Sequence, residues 1–79
     1  MFKAGYGGSL TDVIEQESFA TAEDARTWLV GKLEIMASRE YEMGINTFKG
    51  FAASCLRGHS LPIIWRGPDQ VTYYVLPED

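Results

Sequence analysis

Residues 21–43, TAEDARTWLVGKLEIMASREYEM, decide the fold. At about 100° per residue, Ala22, Ala25, Leu29, Leu33, Met36 and Met43 gather on one face of a helix. Thr21 is a good N-cap, Glu23 and Asp24 occupy the first turn where the helix dipole favours anions, and Gly44 supplies the stop. Trp28 sits at the edge of the apolar stripe, which places a large ring where helix meets sheet. The opposite face collects Glu23, Asp24, Thr27, Gly31, Glu34, Ser38 and Glu42, with no Lys or Arg among them. Gly31 weakens the helix by about 1 kcal/mol relative to Ala.

Downstream, a shorter helix is capped by Asn46 or Thr47. Phe48, Phe51, Ala52, Cys55 and Leu56 follow at i, i+3, i+4, i+7 and i+8, and Gly58 takes the C′ position. Leu61–Arg66 and Val71–Leu76 are rich in branched and aromatic residues. Gly67-Pro68-Asp69 between them is a turn, because Pro fixes φ and Asp bonds its own backbone. Pro77 ends the last strand.

Upstream, residues 2–6 are apolar and aromatic, and Gly7-Gly8-Ser9 reads as a turn. Gly5-Tyr6-Gly7-Gly8 lacks the Gly-Lys-Ser/Thr ending of a phosphate loop. Residues 11–18 fit two patterns. Thr11, Val13 and Ile14 favour a strand, whereas Leu10, Val13 and Ile14 also match helical spacing, with Ser9 and Asp12 together forming a cap. A strand paired with residues 2–6 is the favoured reading. The expected architecture is a single α+β domain over residues 1–79, in the order ββααββ. About four antiparallel strands carry one long and one short helix on one face.

Both faces of the last hairpin are apolar. Ile63, Trp65, Tyr73 and Val75 fall on one, and Ile64, Tyr74 and Leu76 on the other. A sheet covered on one side should alternate with polar residues. Either another part of the chain covers the second face, or a second molecule does. Tyr and Trp are enriched at interfaces, so a homodimer or a partner surface is the favoured expectation.

Composition narrows function further. A chain of 79 residues buries about 60–65% of its unfolded surface, and Cys55, the single cysteine, excludes an intrachain disulfide. One Cys and one His cannot furnish a structural zinc set. A lone thiol, no signal-like leader and no apolar run near 20 residues fit a soluble cytoplasmic protein. Net charge is −4, and the imbalance lies in the first half. There Asp12, Glu15, Glu17, Glu23, Asp24, Glu34, Glu40 and Glu42 outnumber Lys3, Arg26, Lys32 and Arg39. Phosphate backbones need clustered Lys and Arg, so direct nucleic-acid binding is disfavoured, and a basic protein surface is the fitting partner. Modest acidity also serves solubility alone.

Candidate chemistry is thin. Cys55 and His59 are an i, i+4 pair, but Gly58 breaks the helix between them and Cys55 falls on the apolar stripe as a small hydrophobe. Glu15/Glu17, Glu23/Asp24 and Glu40/Glu42 lack both a cleft and calcium-loop order. Trp65, Tyr73 and Tyr74 invite base stacking, yet only Arg66 is near them. No catalytic, cofactor or metal residue is expected, and the chain reads as a non-enzyme.

Small size, acidity, a compact α+β plan, no catalytic set and an aromatic hairpin together resemble the anti-CRISPR proteins of phages and mobile elements. The resemblance is one of type and carries no diagnostic motif. It implies a phage protein, acting in a bacterial cytoplasm, that inhibits a CRISPR effector complex stoichiometrically by blocking target DNA binding. Effector channels are lined with Lys and Arg. Asp12, Glu15, Glu17, Glu23, Asp24, Glu34 and Glu42 would meet them, and Trp65, Tyr73 and Tyr74 would supply the buried anchor. The alternatives are a small dimeric regulatory or assembly domain that binds another protein, and a small enzyme centred on Cys55 and His59.

Overall fold

The computed structural model describes residues 1–42, 47–57 and 60–78, with backbone alone for 39–42. Met43, Gly44, Asn46, Gly58 and His59, given roles above, lie outside the described residues, as does the side chain of Glu42. The element order is β1 (Phe2–Gly7), β2 (Val13–Phe19), α1 (Ala22–Glu42), α2 (Thr47–Leu56), β3 (Ile63–Arg66) and β4 (Thr72–Pro77). The strands form one antiparallel sheet in the order β2-β1-β4-β3, and the helices lie on one face of it. The fold is the α+β plan expected from the sequence, and the stretch that fitted two patterns resolves as strand from Val13, with Thr11 and Asp12 in the turn before it.

Helix α1 starts where its cap chemistry places it: the Asp24 amide donates to Thr21 Oγ1 at 3.1 Å. Its buried line is Ala25, Leu29 and Leu33, all fully enclosed, with Val30 beside them and Ala22 and Met36 half-buried. Trp28 wedges between Tyr6 (ring centroids 6.3 Å) and Phe19 (6.0 Å), at the junction of helix and sheet. In α2, Phe48, Ala52 and Cys55 are buried. Leu56, expected on the same stripe, instead points outward and is 64% exposed. It is the last residue of α2, and the inner side there is already filled by Cys55.

Register explains the inner face. Tyr6 lies opposite Tyr73, and Tyr73 opposite Trp65. The three rings therefore form a row across β1, β4 and β3, with centroids 5.8 and 5.7 Å apart. Phe48 meets Tyr73 and Trp65 edge-on, and Phe51 stacks on Trp65 at 4.4 Å. Each such pair adds about 0.5–1.5 kcal/mol beyond area burial. Tyr73 and Trp65 are thus the ties that bind α2 to the sheet.

The outer face is covered in part by its own side chains, and Ile64, opposite Tyr74, stays 53% exposed. Tyr74 lies opposite Gly5, which lies opposite Gln16. Gly5 has no Cβ, so the Tyr74 ring crosses β1 and its hydroxyl donates to Gln16 Oε1 on β2. Tyr74 is fully buried there. Arg66 reaches over to the Gly8 carbonyl (3.4 Å), and the Ser18 hydroxyl donates to the Glu78 carboxylate (3.1 Å). Of the two explanations for an apolar second face, covering by the chain itself accounts for Tyr74.

Two turns complete the frame. Gly7 faces Val13 after an irregularity in register, and a Cβ on Gly7 would fall 2.2 Å from the Asp12 carbonyl oxygen, so only glycine fits. In the β3–β4 turn the Gln70 amide donates to the Gly67 carbonyl and the Gly67 amide to that of Val71. Asp69 Oδ1 accepts from the Val71 amide, and Gln70 sits at φ 68°, a position that favours glycine.

Candidate protein-binding surface

The surface is built on α1. With Ala25, Leu29 and Leu33 turned to the sheet, a period of 3.6 sends Glu23, Asp24, Thr27, Gly31, Glu34 and Ser38 outward, and all six are exposed. The basic side chains described on α1, Arg26 and Lys32, are half-buried. Among the described residues the ion pair is Lys32 Nζ to Glu15 at 3.1 Å, and Glu23, Asp24 and Glu34 enter none. Asp12, in the β1–β2 turn, and Glu17, on β2, are exposed.

Glu15 departs from expectation. Its carboxylate accepts the Tyr6 hydroxyl at 2.7 Å and pairs with Lys32, whose ammonium also lies 5.1 Å from the Trp28 ring centroid. The Tyr6 hydrogen bond first, and Lys32 second, hold the Glu15 carboxyl below its ordinary range. The same bond, with burial, raises the Tyr6 phenol. Glu15 is committed to joining β2 to α1, so it is removed from the partner-facing set.

The aromatic anchor expected from Trp65, Tyr73 and Tyr74 does not form. Register puts Tyr73 and Trp65 on the helix-covered face and Tyr74 on the other. Tyr73 and Tyr74 are buried and Trp65 is half-buried against Phe51. Tyr73 also donates to Asp69 Oδ2 at 2.8 Å, and burial followed by this bond drives its phenol far above the ordinary value. The exposed apolar groups of the helical layer are instead Ile35 (56%) and Leu56 (64%). Ile35 falls between helical positions reading as polar, so spacing alone marked it for neither face. Leu56 matched the core stripe by spacing.

Nucleophilic chemistry finds no support in the state of Cys55. The thiol is buried, and burial pushes its pKa up, against a smaller opposing effect of Arg26. His59 lies outside the described residues. Among the described residues no group of three or more His, Cys, Asp or Glu is placed to hold a metal ion, and no helix is long and apolar enough to cross a membrane. No protein-family model, curated protein or solved structure matches the chain.

Proposed function

We propose that this chain is a non-enzymatic binding protein that presents the outer flank of α1 to a basic surface on another protein. One observation carries the reading: Glu23, Asp24 and Glu34 stand exposed on one helix flank, and none of them meets a cation among the described residues. Such a flank favours a Lys/Arg-lined groove and speeds encounter with it at low salt. The specific form of the proposal is an anti-CRISPR protein that occupies the DNA channel of an effector complex, as the resemblance in type implies. The alternative, a small regulatory or assembly domain, uses the same flank on a different partner.

The test is charge reversal. A Glu23→Lys/Asp24→Lys/Glu34→Lys variant is compared with the parent for blocking target-DNA binding by purified CRISPR effectors at low and high salt. Loss of blocking by the variant, and weakening of the parent by salt, support the proposal. Equal blocking by both proteins refutes the acidic contact. A parent inert against every effector, yet retained on a basic protein until salt is raised, favours the regulatory reading.

A further inference from the structure

Strand β2 is an open edge of the sheet: β1 pairs with one side of it, and among the described residues no strand lies on the other. The Glu78 amide donates to the Met1 carbonyl, and the Gly8 amide to that of Asp12. Antiparallel bonding alternates along a strand, so Met1, Lys3 and Gly5 turn their backbone groups to β4, and Phe2, Ala4 and Tyr6 turn theirs to β2. The partners of those three on β2 are Phe19, Glu17 and Glu15. The amides and carbonyls of Gln16 and Ser18, which lie between them, therefore point away from the sheet, and both residues are exposed. The opposite edge, β3, has 4 residues and is preceded by Pro62, which has no amide to give. Apolar exposure gathers at the start of β2. Leu10, Val13 and Ile14 are exposed there, and Ile35 joins them from α1. Trp28, Lys32 and Ile35 share one side of that helix. Trp28 meets Phe19 and Lys32 meets Glu15, so Ile35 stands further towards the Val13 end.

We propose that the open edge of β2 takes an extended segment of a partner protein as a further strand, with a Lys or Arg opposite Glu17 and an apolar side chain at the Val13 end. Outward amides and carbonyls call for a strand, because an extended backbone presents matching groups at the same spacing. Charge selects the side chains. Residues 8–19 contain Asp12, Glu15 and Glu17 and no Lys or Arg. Lys32 pairs with Glu15, whereas exposed Glu17 enters no ion pair among the described residues. Lys3 lies across from Ser18, so its side chain is on the other face of the sheet from that of Glu17. The same carboxylates turn away a second copy. Outward groups must meet outward groups, so antiparallel self-pairing sets Gln16 opposite Gln16, Ile14 or Ser18 of the copy. These registers place Glu15 opposite Glu17, Glu15 opposite Glu15 and Glu17 opposite Glu17 in turn, and like charges directly opposed destabilise a strand pair. The edge uses none of Glu23, Asp24 and Glu34, so it stands or falls separately from the α1 flank.

The probe is a synthetic peptide of about nine residues, alternating Thr and Val, with a Lys followed four positions later by an Ile to match Glu17 and Val13 in an antiparallel strand. It is titrated into isotope-labelled protein and followed by amide chemical shifts and hydrogen exchange. The expected result is shifts centred on residues 13–19, with exchange of the Gln16 and Ser18 amides slowed about tenfold or more. A peptide N-methylated at the two residues facing Gln16 and Ser18 keeps its side chains, loses these bonds, and should bind about tenfold or more weakly. Ser18→Pro removes an outward amide while sparing the β1 ladder, and should weaken binding in the same way. Glu17 is exposed, so Glu17→Lys leaves folding intact even where Ser18→Pro does not. It should weaken the Lys peptide about threefold or more and favour a version with Glu in place of Lys. No binding, shifts centred elsewhere, unchanged exchange at Gln16 and Ser18, or equal binding of the N-methylated peptide overturns the edge. Equal binding of the Lys and Glu peptides by the parent overturns the basic partner. Sedimentation of the protein alone as a dimer that Ser18→Pro dissolves assigns the edge to a second copy and refutes the proposal.

Discussion

Replacing Gly5 with Ala tests the account of how the sheet covers its outer face. A Cβ at this position would stand 2.6 Å from the Tyr74 hydroxyl oxygen, 2.8 Å from Tyr74 Cζ and 2.8 Å from the Glu15 carbonyl oxygen. All three separations are below any ordinary carbon contact, and one involves backbone that cannot rotate away. Overpacking of this kind costs about 1–3 kcal/mol. Lifting the ring also strains the Tyr74–Gln16 hydrogen bond, a loss of about 0.5–1.5 kcal/mol. A chain of this length has a total stability of about 4–12 kcal/mol. Gly5→Ala therefore removes a substantial fraction of it, and lowers the melting temperature by about 4–8 °C per kcal/mol lost. Urea and thermal unfolding followed by circular dichroism read the effect. Combining Gly5→Ala with Tyr74→Leu should recover only part of the loss, because the contact with the Glu15 carbonyl remains. A Gly5→Ala protein that unfolds at the same denaturant midpoint as the parent would falsify the placement of the Tyr74 ring.

Other expectations concern glycine chemistry and titration. Gly31 is exposed in mid-helix with nothing within 4 Å of a built Cβ, so Gly31→Ala should stabilise the fold by about 1 kcal/mol, and an unchanged or lower melting temperature contradicts the helix geometry. Gln70 holds φ 68° in the β3–β4 turn, and Gln70→Gly should raise stability by about 0.5–1 kcal/mol despite losing the 3.3 Å contact with Arg66; a destabilised variant argues against that turn. The phenols of Tyr6, Tyr73 and Tyr74 all lie above the ordinary 10.0, the first through its bond to Glu15 and the other two mainly through burial. The unfolded chain thus releases these protons first, so their contribution to stability is complete below that value and is lost as pH rises through the folded values. Denaturant midpoints should fall on the alkaline side alongside late phenolate absorbance, and a flat profile there contradicts the buried phenols. Glu15 acts in the opposite sense: its lowered value gives stability present above the ordinary 4.5 and lost as pH falls through the folded value, and Glu15→Gln should remove that part of the acid response.

The parts legible in the sequence were those governed by local chemistry. Thr21 announced its cap, the Ala25–Leu29–Leu33 line announced the buried side of α1, and Pro68-Asp69 announced the turn between β3 and β4. Even the split of the last hairpin into an Ile63/Trp65/Tyr73/Val75 face and an Ile64/Tyr74 face followed from period-two alternation. What alternation does not encode is which strand lies beside β4. That neighbour is β1, and its Gly5 is what lets Tyr74 lie flat and buried rather than stand out as an interface group. Likewise nothing near Glu15 in sequence signals Lys32, seventeen positions away, or the Tyr6 hydroxyl. The acidic flank was readable because it is a property of one helix. The supposed aromatic anchor was not, because it depended on tertiary register.

The ends of the described chain meet in the middle of the sheet. β1 and β4 are the central pair, and the Glu78 amide donates to the Met1 carbonyl at 2.7 Å. Joining these ends by a short linker and opening the chain in the bends after Gly7 would turn the most distant pairing in the sequence into a hairpin. The sheet would then run β3-β4-β1 as a meander, with β2 alone arriving from afar. Folding rate follows how local the pairings are, and the permutant exchanges one distant pairing for another, because β1–β2 stops being a hairpin when β1–β4 becomes one; it should reach the same native topology at a rate close to that of the present connectivity.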